Sequence, residues 1–240
     1  MFVFPMLGTS RRFFEAGYNS PKYMLPLAGA TVFHHVVRSF ERYWHEDDFL
    51  FICRNDVFEL SFVKEALTDL GVSRYRIIPL DGPTMGQAHT VYLGLNVCSP
   101  TGTEEIFVFN IDTVRPGFLK PSDDLLGDAY LEVFHGEGSH WSFVLPGAEN
   151  TVLKTTEKDR ISDLCSDGLY YFRRKSIFDK SFANAQAGMS LVAGEYYIAP
   201  LFNHLIDMGF SVKYGVVSTG ELFFCGTPKE YELLMTSSCL

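Results

Sequence analysis

Cysteine is scarce in this chain and poorly placed for cross-linking. There are five in 240 residues (Cys53, Cys98, Cys165, Cys225 and Cys239), an odd number, widely separated and without a Cys-x-x-Cys. That spacing offers neither a disulfide framework nor a zinc site, and reduced thiols are the simplest account. Basic residues are also short: 20 Lys and Arg stand against 29 Asp and Glu, for a formal charge of -9. An acidic balance argues against a nucleic-acid-binding surface, so any phosphate-bearing substrate must be held by a local cluster of cations. No apolar run approaches the ~18 residues of a membrane span, and the start of the chain lacks a charged stretch leading into a long apolar one. The expectation is a cytoplasmic protein with no nucleic-acid partner and no membrane span; a homo-oligomer is left open.

What the chain does have is core material. Its 47% hydrophobic and 15% aromatic content suits one sizeable α/β domain. The first stretch is the most informative. Phe2 to Met6 reads as a short buried strand running into Leu7-Gly8-Thr9-Ser10-Arg11-Arg12, and Pro21-Lys22 follows. A loop of small residues leaving a strand lets backbone N–H groups approach an anion, and an adjacent arginine supplies a planar charged fork for phosphate oxygens.

Further along, Val32, Phe33, Val36, Val37 and Phe40 recur at helical spacing, and Phe49 to Cys53 is a continuous apolar run expected to be a buried parallel strand. Arg54 follows at its carboxyl end, where open α/β sheets place ligands. Residues 59 to 70 predict a helix and Tyr75 to Leu80 a strand. After Asp81-Gly82-Pro83, Thr84 is expected to cap a helix through Leu93. Glu105 to Thr113 is a strand delivering Asp112 at its carboxyl end, a carboxylate suited to Mg²⁺ that is bound to phosphates. The second half changes character: short alternating runs around 128–134, 141–145, 151–157 and 168–173 predict strands of a mixed sheet. The polar connection from His135 to His140 reads as a turn and not a metal site. A helix is expected from Glu195 to a stop at Gly209, a strand over Val212–Val217, and a last helix opened by Gly226-Thr227-Pro228.

The blocks, in this order, resemble the sugar nucleotidyltransferases, or sugar-1-phosphate pyrophosphorylases. Gly8, Arg12, Phe13, Pro21, Lys22, Leu25 and Pro26 occupy places matching that family's G-x-G-[ST]-R-[LMF] loop and later P-K-x-L-L-P. Ser10 replaces the second glycine and Arg11 a Thr or Ser. Asp112 matches the metal-binding aspartate, with Ile111 for the usual glycine. Glu157-Lys158, Ile161-Ser162 and Gly168-Leu169-Tyr170-Tyr171-Phe172 resemble the E-K-P-x-x-I-S…G-x-Y-x-F block, and Gly226-Thr227-Pro228 the family's ending. One departure stands out: where the family commonly carries a second metal-binding aspartate, this chain has Phe224.

The resemblance implies a Rossmann-like, glycosyltransferase-A-type three-layer α/β sandwich with a mixed, mostly parallel sheet. It implies one nucleotidyltransferase-like domain over 1–240, with a nucleotide-binding half at 1–115 and an acceptor-binding half at 116–240. The implied reaction joins a nucleoside triphosphate to a small phosphorylated acceptor with loss of pyrophosphate, using Mg²⁺, in a branch supplying capsular or surface polysaccharide. Arg12, Lys22 and Asp112 would be catalytic. Leu7, Gly8, Thr9, Ser10, Arg11, Gly86 and Gln87 would hold the nucleotide, and Glu157, Lys158, Gly168 and Glu195 the acceptor. Asp112 with Glu221, or with Glu195, would complete the metal site. No covalent protein nucleophile is required, because phosphoryl chemistry needs mainly positioning and charge neutralisation. A glycosyltransferase of the same fold is the alternative, though it has no need of the amino-terminal loop; a non-catalytic nucleotide- or sugar-binding regulator is another, which Phe224 favours.

Overall fold

A computed structural model of the chain describes residues 1–98 and 101–237; Cys239 lies outside the described residues. The elements in chain order are β1 (Phe2–Pro5), α1 (Arg11–Glu15), β2 (Pro26–Leu27), β3 (Ala30–Thr31), α2 (Val32–Arg38), β4 (Phe49–Arg54), α3 (Val57–Leu70), β5 (Tyr75–Leu80), α4 (Gln87–Cys98), β6 (Ile106–Phe109), β7 (Thr113–Val114) and α5 (Asp123–Leu126). They continue with β8 (Ala129–His135), β9 (Ser142–Pro146), β10 (Val152–Glu157), β11 (Leu164–Phe172), α6 (Lys175–Ala187), α7 (Leu201–Asp207), β12 (Val212–Val216), β13 (Phe223–Phe224) and α8 (Pro228–Thr236).

The fold is α/β, built on a mixed central sheet in the order β10-β9-β11-β6-β1-β4-β5, with β8 pairing β11 and β12. The strands β5, β4, β1 and β6 run parallel, and β11 joins them antiparallel through β6. Alternation along the parallel strands sorts side chains by type. Phe2, Phe4, Phe49, Phe51, Phe107 and Phe109 point to one face, against α2 and α3; Val3, Leu50, Ile52, Ile106 and Val108 point to the other, against α4 and α7. On the aromatic face the Phe2 ring lies 4.8 Å from Phe40, 5.1 Å from Phe49 and 5.3 Å from Phe107. Each such fully buried ring stabilises the fold by roughly 1.5–3 kcal/mol, so this layer anchors the strand from which the first loop departs.

Local chemistry sets the helix ends. Asp56 accepts from the Glu59 N–H at 2.9 Å to start α3, and Thr227 and Glu230 form a reciprocal capping box around Pro228 at the start of α8. Two expectations are corrected and one helix was not foreseen. The fourth helix begins at Gln87, not after Thr84, because Gly86 turns the chain with φ +101°. The segment from Glu195 is extended, held by a Tyr196 N–H to Met85 O bond of 2.7 Å, and helix α7 starts only at Leu201. Helix α6 is absent from the expectations, although Ile177, Phe178, Phe182 and Ala185 recur at helical spacing and are buried. Among the described residues the four cysteines are free, and no helix is long and apolar enough to cross a membrane.

Candidate active site

The carboxyl ends of β1, β4, β5 and β6 open onto a cleft of about 800 Å³, closed on the far side by β9, β10, β11 and residues 195–197. A volume of this order holds a nucleotide-sized ligand. Leu7, Gly8, Thr9 and Arg12 line it where β1 ends. Buried Phe13 anchors α1, and Ser10 turns the chain with φ 50° while its Oγ accepts from the Lys22 N–H at 3.1 Å. Ser10 is therefore a brace between the loop and Lys22 and does not line the cleft. Arg11 Nε pairs with Glu15 at 2.6 Å, and its 81% exposed side chain does not line the cleft. A third cation enters from the end of β4, where Arg54 Nη2 donates to Gly8 O at 2.9 Å.

Within the cleft the Lys22 ammonium is ion-paired to Asp112 Oδ2. The two come from elements 90 residues apart. Asp112 O accepts from the Cys225 N–H at 2.7 Å, which draws the β13–α8 turn alongside. A Cβ added to Gly226 would lie 3.1 Å from Asp112 Oδ2 and 3.4 Å from Glu230 Oε2, so these two carboxylates flank one glycine. Glu221 is elsewhere: its carboxylate binds Arg115 at 2.7 Å and does not line the cleft with Asp112. Phe224 is packed 4.8 Å from the Trp141 ring and 5.0 Å from Phe134, a wall and not a ligand. Among the described residues no three His, Cys, Asp or Glu side chains gather as a metal cage. Asp112 alone still fits Mg²⁺, which is commonly held by one or two carboxylates completed by phosphate oxygens and water.

Gly86 and Gln87 line the cleft at the start of α4. A Cβ on Gly86 would meet Tyr196 O and Glu195 Cβ at 2.8 Å, so only glycine lets the 84–88 turn lie against residues 195–196. The Ala88 N–H then donates to Tyr196 O at 2.9 Å. Gln87 Nε2 donates to Asn110 Oδ1.

The opposite end is polar and aromatic. Glu157, at the end of β10, is buried and accepts from Ser142 Oγ; burial pushes its pKa up, against the pull of Ser142 and Lys158. Lys158 Nζ lies 3.7 Å from Glu157 Oε1, donates to Tyr197 Oη at 2.6 Å and stands 4.4 Å over the Tyr197 ring. Beneath them Asp167 is 2% exposed: Oδ1 accepts from the Leu169 N–H at 2.9 Å, and Oδ2 has no hydrogen-bond partner. Burial and the neighbouring Glu132 carboxylate raise its pKa well above the usual carboxylate range, while Arg115 holds Glu132 at 2.9 Å.

The cleft thus gathers Leu7, Gly8, Thr9, Arg12, Lys22, Gly86, Gln87, Asp112, Glu157, Lys158 and Glu195, and leaves out Ser10, Arg11, Gly168 and Glu221. It adds Asn110, Trp141, Ser142, Asp167, Tyr197 and Glu230, which sequence reasoning missed. Asn110 had a signal, being a polar residue directly after an apolar strand; nothing local marked Trp141 or Asp167.

No family model matches the chain, and no curated protein matches it. Solved structures do. A nucleoside-diphosphate-sugar pyrophosphorylase from Vibrio cholerae RC9 is 45% identical over 99% of this chain and 100% of its own, with a TM-score of 0.93. The inositol-1-phosphate CTP transferase from T. maritima (16% identity, 97% of this chain and 94% of its own, TM-score 0.75) shares the fold. So does a UDP-glucose pyrophosphorylase complexed with UDP-glucose (15%, 98% and 96%, TM-score 0.73). With near-complete coverage at 45% identity, the chain belongs to the nucleoside-diphosphate-sugar pyrophosphorylase family of nucleotidyltransferases.

Proposed function

We propose that this enzyme transfers a nucleoside monophosphate from a nucleoside triphosphate to a phosphorylated sugar, or another small phosphorylated acceptor, and releases pyrophosphate. The observation that carries the reading is one cleft lined by the Lys22–Asp112 pair. The Gly8 loop, Arg12, Glu157 and Lys158 line the same cleft as that pair. A phosphate oxygen of the acceptor attacks the α-phosphorus, the bond from that phosphorus to the oxygen bridging to the β-phosphate breaks, and pyrophosphate leaves with that oxygen. The protein's task is to hold both anions together and neutralise their charge.

In this scheme the Leu7–Thr9 backbone and Arg12 grip the β- and γ-phosphates. Lys22 exchanges its partner Asp112 for the α-phosphate as substrate enters, and Gly86 and Gln87 face the nucleobase. Glu157 accepts from acceptor hydroxyls, Lys158 meets the acceptor phosphate, and Glu195 borders the same pocket. Asp112 is the residue that would hold Mg²⁺, which supplies charge neutralisation between phosphates. We also place the product upstream of capsular or surface-polysaccharide assembly, a step supported by the family resemblance alone.

The test is pyrophosphate release from each of CTP, GTP, UTP, dTTP and ATP with Mg²⁺ against a panel of sugar phosphates and other phosphorylated metabolites, with Asp112→Ala alongside. Release requiring one triphosphate, one acceptor and Asp112 supports the reading. Silence across the panel with triphosphate binding intact would move it to a binding protein.

A further inference from the structure

Gly168 stays out of the cleft yet governs a group inside it. It lies on β11 with φ +98°, at an irregularity in the pairing of β11 with β8. A Cβ built there would sit 2.5 Å from Asn110 Cγ and nearer still to Asn110 Nδ2, so any side chain at 168 would expel Asn110 from its place. Asn110 is held by its backbone N–H to Gly168 O (3.3 Å), and its Oδ1 accepts from Gln87 Nε2. Both Asn110 and Gln87 line the cleft. A carboxamide that donates an N–H to Asn110 keeps its oxygen, an acceptor, for another partner.

Resting on the reading above that Gln87 faces the nucleotide, we infer that Asn110 and Gly168 are positioning residues for nucleotide recognition. They hold the Gln87 carboxamide with its oxygen toward the ligand, so that the cleft favours a base edge offering an N–H donor there. Gly168, expected from the motif to touch the acceptor, acts instead through Asn110 on the other substrate.

The variants Asn110→Ala and Gly168→Ala, singly and together, test this by NMR and by binding of each of the five triphosphates. In the wild type the Gln87 side-chain NH₂ signals are expected to be shifted and slow to exchange with solvent; both single variants should return them to the values of a free amide. The dissociation constant and KM for the preferred triphosphate should rise about tenfold, the scale of one lost hydrogen bond, and discrimination among the five bases should narrow, with kcat nearly retained. Because both changes break one contact, the double variant should be no worse than either single. A purely structural role would lower the melting temperature without this split between KM and kcat. Additive losses, or a Gln87 amide signal unchanged in Asn110→Ala, would overturn the inference. Should Gly168→Ala not fold, Asn110→Ala compared with Gln87→Ala decides it, since the two should show the same rise in KM. A wild type that binds no triphosphate while its Gln87 amide signal is intact would instead defeat the proposed reaction and the nucleotide role together, leaving the Asn110–Gly168 geometry standing.

Discussion

Replacing Lys22 by Ala separates catalysis from stability in one residue. The Lys22 and Asp112 side chains are 22% and 18% exposed, between a surface pair worth about 0–1 kcal/mol and a buried one whose breakage costs about 3–5. Lys22→Ala leaves Asp112 near Glu230 across Gly226 without its paired ammonium, and a loss of roughly 1 kcal/mol is expected, or about 2–4 °C in melting temperature for a chain of this size. Asp112→Ala on top of it removes the stranded charge and should restore most of that stability. Turnover should behave differently. Losing one preorganised cation at the reacting phosphate costs on the order of 10²–10³ in kcat, and the double variant should recover none of it. Thermal denaturation followed by circular dichroism, with a coupled pyrophosphate assay on the same preparations, reads both quantities. A Lys22→Ala enzyme keeping kcat within a factor of ten would refute the catalytic role. A double variant no more stable than the single would refute the electrostatic account of the pair.

Three further outcomes follow from the same geometry. Burial raises the Glu157 pKa, so its carboxylate protonates on acidification before an ordinary glutamate would, and KM for the acceptor should climb as pH falls through that raised value while KM for the triphosphate moves less; parallel profiles for both substrates would be contrary. Asp167 is an acid whose folded pKa lies above its unfolded one, so its stabilising contribution is complete below the unfolded value and is lost as pH rises from there through the folded value; Asp167→Asn should flatten that decline in melting temperature, and an unchanged slope would count against it. Trp141 lines the cleft between His140 and Phe224 whereas Trp44 packs on the aromatic core, so a fluorescence change on acceptor binding should survive Trp44→Phe and vanish in Trp141→Phe.

The sequence by itself determined the strands and the chemistry that follows them. The run Phe49–Cys53 specifies a buried strand because its side chains leave no polar face, and a Gly-Thr loop or an aspartate placed after such a run must emerge at the sheet's carboxyl edge. The capping box at Thr227 was equally local. Tertiary structure decided which of those residues share a site. Arg11 and Arg12 are adjacent and equally charged, but one helical turn sends the first to Glu15 and the second into the cleft. Glu221 was expected beside Asp112, yet Arg115 claims it, while the α8 cap brings Glu230, not expected there, to the glycine next to Asp112. Glu195 was placed on a helix by its neighbours' pattern; contact with the Gly86 turn keeps it extended instead. Gly168 was legible as important but not in what it does, because its effect is a missing Cβ opposite Asn110, a side chain 58 positions earlier in the chain. Side-chain periodicity is a property of one segment, whereas a partner's charge or a neighbour's missing methyl is a property of two segments brought together only by the fold.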